Sequence, residues 1–197
     1  MDRPAIVLAS TSRYRRELLQ RLRLEFEVLA PGVDEASSAA ESPCATALRL
    51  ARAKAAAVAA LRPGAVVIGS DQVAELDGAV LEKPLEHQRA VDQLLLMQGR
   101  EVLFHTAVAV AGPEAERLQA DVVPTLVQMR SLSRAAIETY LRADRPYDCA
   151  GSARIESLGI ALVERVQSDD PTALIGLPLI RLTSMLVAAG VIVLPLD

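Results

Sequence analysis

A chain of 197 residues, 51% of them hydrophobic, is long enough to bury one substantial core. Its net charge of -4 at neutral pH, with a pI near 5.3, excludes the broad basic face that a nucleic-acid binder uses to displace counterions. Two cysteines, Cys44 and Cys149, are too few for a disulfide framework or a zinc site and read as free thiols.

In chain order, "AIVLAS" reads as a short strand, and residues 12 to 22 place Leu18, Leu19 and Leu22 at helical spacing before "FEVLAPGV" turns extended again. The strand is too short for a signal sequence and runs straight into arginines. Residues 45 to 61 form an alanine-rich helix that Pro63 and Gly64 end, and "AVVIGSDQVAEL" is a buried strand whose far end carries polar groups. Asp77 and Gly78 signal a hairpin turn, with Lys83 and Pro84 closing the returning strand. A helix over 86 to 98 has Gly99 at its C′ position, and "EVLFHTAVAVAG" follows as a long strand.

"ADVVPTLVQMRSL" is expected to pair antiparallel with that strand across the 112 to 120 connection. Ser133 offers an N-cap to the helix "RAAIETYLRAD", which Pro146 ends. "YDCAGSARIES" lacks periodicity and reads as a loop, and "GIALVERV" reads as one more strand. Asp170 and Pro171 are expected to open a last helix as N-cap and N1. The greasy stretch "ALIGLPLIRLTSMLVAAGVIVLPL" is interrupted by Pro178 and Arg181, so a buried helix followed by a strand fits it better than a membrane span. No repeat or linker divides the chain, and the expectation is a single cytoplasmic α/β domain over residues 1 to 197 with a mixed sheet.

The stretch "ASTSRYRRELLQRL" concentrates hydroxyls and arginines where a strand turns into a helix. Backbone N–H groups and the helix dipole favour an anion at such a turn, and Ser10, Thr11, Ser12 and Arg15 add donors suited to phosphate. The same residues also fit an N-cap serine followed by solvated arginines, the assignment given to Arg16 and Arg21. Elsewhere Asp34 and Glu35 follow a strand, Asp71 and Gln72 interrupt an apolar one, Lys54 lies in the alanine-rich helix, and Lys83 precedes a proline. Three acids and two lysines, most of them at strand ends or loop edges, would let a divalent metal and a polyphosphate share one cleft. His87 and His105 have no obvious partners in the sequence and are assigned to structure.

"LASTSRYRRELL", "APGVDE", "RLARAKA", "GSDQV", "EKP", "CAGSARIESLG" and "DDPTALIGLPL", in this order and spacing, resemble the Maf family of nucleotide pyrophosphatases from residue 6 to about 190. "GSDQV" and "CAGS" are similar to the branch acting on 7-methyl-GTP rather than the branch acting on dTTP and UTP. The resemblance implies an α/β fold related to inosine triphosphatases, with a central mixed sheet flanked by helices and a cleft between two lobes.

It also implies hydrolysis of a nucleoside triphosphate to the monophosphate and pyrophosphate with Mg²⁺ or Mn²⁺, by a protein with no nucleic-acid or membrane partner that forms a homodimer. Asp71 would be the proton acceptor and Glu35 the metal-associated carboxylate. Arg15, Lys54 and Lys83, with Ser10 and Ser12, would bind phosphate, and Tyr14, Gln72 and Glu156 would set specificity. Arg13 and Glu82 stand where the family usually has proline and glycine. Other triphosphates, namely dTTP, UTP or deaminated purines, and a non-catalytic role in septum formation are the alternatives the resemblance leaves. For a 7-methylguanine ring, which is cationic, an aromatic face at Tyr14 and a carboxylate at Glu156 are complementary groups.

Overall fold

The computed structural model of the chain describes residues 4–36, 41–113 and 118–194. Seven strands form one sheet in the order β2-β1-β3-β5-β6-β7, with β4 beside β3. Strand β1 (Ile6–Ala9) lies parallel to β2 (Glu27–Val28) and to β3 (Val66–Leu76). Strands β4 (Ala79–Leu81) and β5 (Glu101–Ala111) pair antiparallel with β3, and β6 (Leu118–Met129) and β7 (Val163–Ser168) continue the sheet antiparallel. The helices are α1 (Arg13–Gln20), α2 (Pro43–Leu61), α3 (His87–Met97), α4 (Arg134–Asp144) and α5 (Leu179–Ala188). The mixed, helix-flanked sheet is the fold class expected above.

Side-chain alternation divides the core. Ile6 and Leu8 of β1, Val66 and Ile68 of β3 and Val108 and Val110 of β5 pack with Leu18 and Leu19 of α1 and Leu182 and Leu186 of α5. Val7, Ala9 and Val67, one residue out of phase, meet Val58 of α2. Because both faces are covered, β1 is a continuous apolar run with no polar alternation. Helix α2 presents Ala47, Ala51 and Ala55 to Ala107 and Ala109, so small side chains face small side chains and the helix lies close to the sheet. Helices α3 and α4 cover the far ends of β3, β5 and β6 through Val91, Leu94, Ile137 and Leu141. Fully burying each such leucine contributes roughly 2 kcal/mol.

Several boundaries differ from the sequence reading. Only Glu27 and Val28 of the second extended stretch pair in the sheet, at its edge. The stretch 159–166 is not one strand: a 3-10 turn covers Leu158–Leu162 and β7 starts at Val163. Only glycine fits at 159 in this turn, since a side-chain carbon there would fall 2.4 Å from the Arg154 carbonyl oxygen. A short 3-10 turn, Ala150–Ser152, also lies within the loop "YDCAGSARIES".

Asp170 and Pro171 precede another 3-10 turn, Ala173–Ile175, and α5 begins only at Leu179, after Pro178. Asp170 nevertheless caps that helix across the intervening loop: its Oδ2 accepts from the Ile180 N–H at 2.7 Å, and its Oδ1 from the Thr172 N–H at 2.9 Å. Residues 191 to 194 form no strand, and the rest of that expected element lies outside the described residues, as do residues 114–117 of the β5–β6 connection. Among the described residues, no helix is long and apolar enough to cross a membrane.

Candidate active site

The sheet has a notch. Strand β1 pairs with β3 only as far as Ala9 opposite Gly69, and β4 takes up the same edge from Ala74 onward. Between them Ser70, Asp71, Gln72 and Val73 have no strand neighbour on that side among the described residues. The loop Ser10–Ser12 leaves the end of β1 at one border, and Lys83 follows β4 at the other. Polar groups at the carboxyl end of a parallel strand next to an opening in the sheet are well placed to meet a ligand.

Alternation along β3 sends neighbouring side chains to opposite faces. Asp71 points to the α2 side, where Lys54 Nζ lies 2.7 Å from Asp71 Oδ1 and 2.6 Å from Glu35 Oε1. Lys54 is only 3% exposed and Asp71 8%, whereas the Glu35 side chain is more than half exposed. Lys54, on an alanine-rich helix, is thus turned inward and buried, and two carboxylates offset its desolvation. Burial raises the Glu35 pKa, but the Lys54 hydrogen bond and the charges of Lys54, Lys83 and Arg15 outweigh it and hold the carboxyl below its ordinary value. Arg49 of α2 closes the segment that carries Glu35, donating to Glu41 Oε1 at 2.9 Å and to the Ala36 carbonyl at 3.1 Å.

Ser70 and Gln72 point the other way, toward the turn before α5. Ser70 Oγ donates to the Gly176 carbonyl at 3.0 Å, and the Gln72 amide nitrogen donates to Thr106 Oγ1 and to the carbonyls of Ala173 and Leu174. Arg15 Nε donates to the same Gly176 carbonyl at 3.0 Å, which fixes the guanidinium beside the notch. Burial lowers the Arg15 pKa, and the charges of Asp71 and Glu35 oppose that shift. Ser10 is buried and accepts from the Ser12 N–H, while Ser12 caps α1 by accepting from the Arg15 N–H. The two readings of the opening loop therefore coexist: Ser12 is an N-cap, and Arg15 is turned inward. Arg16, Arg21 and Arg23 are exposed.

Tyr14 and Glu156 approach each other through Arg154. The Arg154 Cζ lies 5.5 Å from the Tyr14 ring centroid and its Nε 3.5 Å from Glu156 Oε1. Arg13 also lies over the ring, at 4.7 Å, and donates to the phenol oxygen. Desolvation pushes the Tyr14 pKa up to about 12, against the Arg13 hydrogen bond. Arg154 was not singled out by sequence reasoning; its position between Cys149 and Glu156 in "CAGSARIES" was the available signal.

The histidines are engaged elsewhere, whereas the Cys149 thiol donates to Tyr14 Oη at 3.7 Å. Both histidines have partners that the sequence did not disclose. His87 bonds Tyr147 Oη at 2.8 Å and Glu138 Oε2 at 2.9 Å, and His105 bonds Glu75 Oε2 at 2.7 Å. Cys44 and Cys149 are free thiols, and burial pushes the Cys149 pKa up to about 12, which makes it a poor nucleophile.

Glu35 and Asp71 fit a divalent cation of the Mg²⁺ type. Each commits one oxygen to the same ammonium, so the two carboxylates converge, and such ions are commonly held by one or two carboxylates together with substrate phosphates. Among the described residues no cluster of three or more His, Cys, Asp or Glu offers a complete protein cage.

Comparison with known proteins identifies the family. The family model described as "Maf-like protein" matches residues 5–189. A 7-methyl-GTP pyrophosphatase of Albidiferax ferrireducens is 59% identical over 96% of this chain and 95% of its own length. Proteins of the same name from Methylobacillus flagellatus and Thiobacillus denitrificans are 56% and 58% identical, over 95% and 97% of this chain and 98% and 95% of their own lengths. A solved nucleoside-triphosphatase (dITP/XTP pyrophosphatase) of Mycobacterium abscessus aligns with 65% of this chain and 75% of its own at TM-score 0.41 and 17% identity, too remote a likeness to bear on the fold. With a family model spanning nearly the whole chain and relatives above half identity covering the notch, α2 and the "CAGSARIES" loop together, the chain belongs to the Maf-like protein family.

Proposed function

We propose that this protein is a metal-assisted pyrophosphatase that converts 7-methyl-GTP to the monophosphate and pyrophosphate, with the notch beside β3 as its phosphate-handling site. The observation that carries the reading is the convergence of Glu35, Lys54 and Asp71, from three separate segments, on one ammonium at an open sheet edge. The names of its relatives point to the same substrate.

A triphosphate brings about four negative charges, whereas Arg15, Lys54 and Lys83 less Asp71 and Glu35 leave a net charge near +1. A divalent cation supplies the missing neutralisation and orients the phosphates when bound, with Glu35 as its carboxylate and Asp71 adjacent. Lys54 has three donors; two are given to carboxylates and the third is free for a phosphate oxygen. Asp71 Oδ1 stays held by Lys54 while Oδ2 accepts a proton from the water that attacks the α-phosphorus. The bond from that phosphorus to the bridging oxygen breaks, and Lys83, Lys54 and Arg15 receive the charge of the departing pyrophosphate. Ser10 and Ser12 shape the loop below it.

Tyr14 and Glu156 meet the cationic base, and Gln72 acts on specificity by holding the Ala173–Leu174 segment in place. The proposal extends to one cytoplasmic catalytic domain over residues 1–197 and to a homodimer. The test is a panel of 7-methyl-GTP, GTP, dTTP, UTP and dITP with Mg²⁺ or Mn²⁺, followed by product analysis. Best turnover of 7-methyl-GTP with release of pyrophosphate is expected, together with a fall of about 100-fold or more in Asp71→Asn. Equal turnover of GTP, faster hydrolysis of dTTP and UTP, or release of single phosphates would overturn it. Tight binding without turnover would make the protein a nucleotide-binding regulator instead.

A further inference from the structure

Arg154 is held firmly at its backbone and loosely at its head. Its N–H donates to Tyr140 Oη at 2.9 Å, its carbonyl accepts from the Ser157 N–H at 3.2 Å, and Gly159 packs against that carbonyl with no room for a side-chain carbon. Its guanidinium, by contrast, lies 5.5 Å from the Tyr14 ring centroid, and its buried Nε, 3.5 Å from Glu156 Oε1, makes no hydrogen bond among the described residues. A buried donor left unpaired in this way is costly, and it marks a group that is held in place by charge rather than by fitted hydrogen bonds.

We propose that Arg154 is an internal surrogate for a cationic base: in the free protein its planar guanidinium fills the space between Tyr14 and Glu156, and a 7-methylguanine ring displaces it on binding. The inference rests on the reading of Tyr14 and Glu156 as the base subsite. An aromatic face and a carboxylate are the two groups that a planar organic cation requires, and the guanidinium already satisfies both requirements. The guanidinium and a purine ring cannot occupy this half-buried space together, so the side chain swings out about its fixed backbone as either base enters.

A definite signature follows. Displacing Arg154 costs the same free energy whichever base enters, because that cost belongs to the protein. The surrogate therefore weakens binding of methylated and unmethylated guanine by one common factor. The ratio between them is set by the groups that stay in place, Tyr14 with Arg13 over its ring and Glu156.

Calorimetric titration of 7-methyl-GMP and of GMP into metal-free protein tests this without relying on turnover. Arg154→Met keeps an apolar stem over Tyr14 and removes the charge, and the backbone hydrogen bonds of the position do not need the side chain. Both nucleotides should bind more tightly to Arg154→Met by the same factor, about three- to tenfold, with their ratio unchanged. Arg154→Lys, which keeps the charge but loses the plane, should lie between the two. Weaker binding to Arg154→Met would mean that Arg154 touches the bound nucleotide, and that result, an unchanged Kd, or tightening confined to one nucleotide would overturn the proposal. Equal wild-type affinity for the two nucleotides would instead overturn the base assignment, and a common tightening would still support displacement of the guanidinium.

Discussion

Gly69 of β3 and Ala51 of α2 are packed so closely that a side-chain carbon at Gly69 would lie 2.3 Å from the Ala51 carbonyl oxygen. The contact sets the spacing of helix and strand. One helical turn past Ala51 comes Lys54, and two residues past Gly69, on the same face of β3, comes Asp71, so this approach brings ammonium and carboxylate to 2.7 Å. Gly69→Ala must push the helix backbone away, at a cost of about 1 to 3 kcal/mol. We expect a lower Tm and a turnover reduced about tenfold or more, because small displacements of catalytic groups are amplified in rate. Thermal unfolding and steady-state kinetics on the one variant check both, and wild-type values in both would refute the packing argument.

The arginines of the opening loop should separate functionally as they do structurally. Arg15 is tied to the Gly176 carbonyl beside the notch, while Arg16, Arg21 and Arg23 are exposed. Alanine at Arg15, Lys54 or Lys83 should lower kcat/KM by about 100-fold, whereas alanine at the exposed three should leave it within about twofold. The reverse ranking would show that phosphate is bound elsewhere.

Asp170 is 2% exposed and joins the turn before α5 to the start of that helix. Asp170→Ala leaves the Thr172 and Ile180 N–H groups without an acceptor and should cost about 2 to 3 kcal/mol in urea unfolding. Since the Gly176 carbonyl that orients Arg15 lies in this segment, the nucleotide KM should rise as well. Loss of stability with an unaltered KM would separate the cap from the site.

Tyr14 should resist ionisation. Desolvation raises its pKa to about 12, so the phenol is favoured in the folded state. The sign follows: its contribution to stability is complete below the ordinary phenol pKa of about 10 and is lost as pH rises through about 12. Phenolate absorbance during an alkaline titration should show a component near 12 that is absent in Tyr14→Phe. A Tyr14 component at about 10 would mean that the ring is solvated.

Local chemistry made most of the fold legible in the sequence. The strand Val66–Leu76, the hairpin at Asp77 and Gly78, the β5–β6 pair and the Ser133-capped helix all follow from patterns a few residues long, in which periodicity and caps act without reference to the rest of the chain. The motifs also pointed, through their family resemblance, to the residues proposed for a phosphate site. Tertiary structure alone decided how those residues meet. Nothing local makes Lys54 buried, because an alanine-rich helix buries or exposes a lysine according to what lies across from it, and here that is Gly69 and Asp71. Nor could sequence say what Asp71 and Gln72 each meet: the pleat sends these neighbours to opposite faces, one to an ammonium and one to carbonyls of a loop a hundred residues on. The cap that Asp170 makes, the histidine partners and the guanidinium over Tyr14 share that origin: each is a contact between segments distant in the chain, and only packing of the whole sheet and its helices brings them within hydrogen-bonding or van der Waals reach.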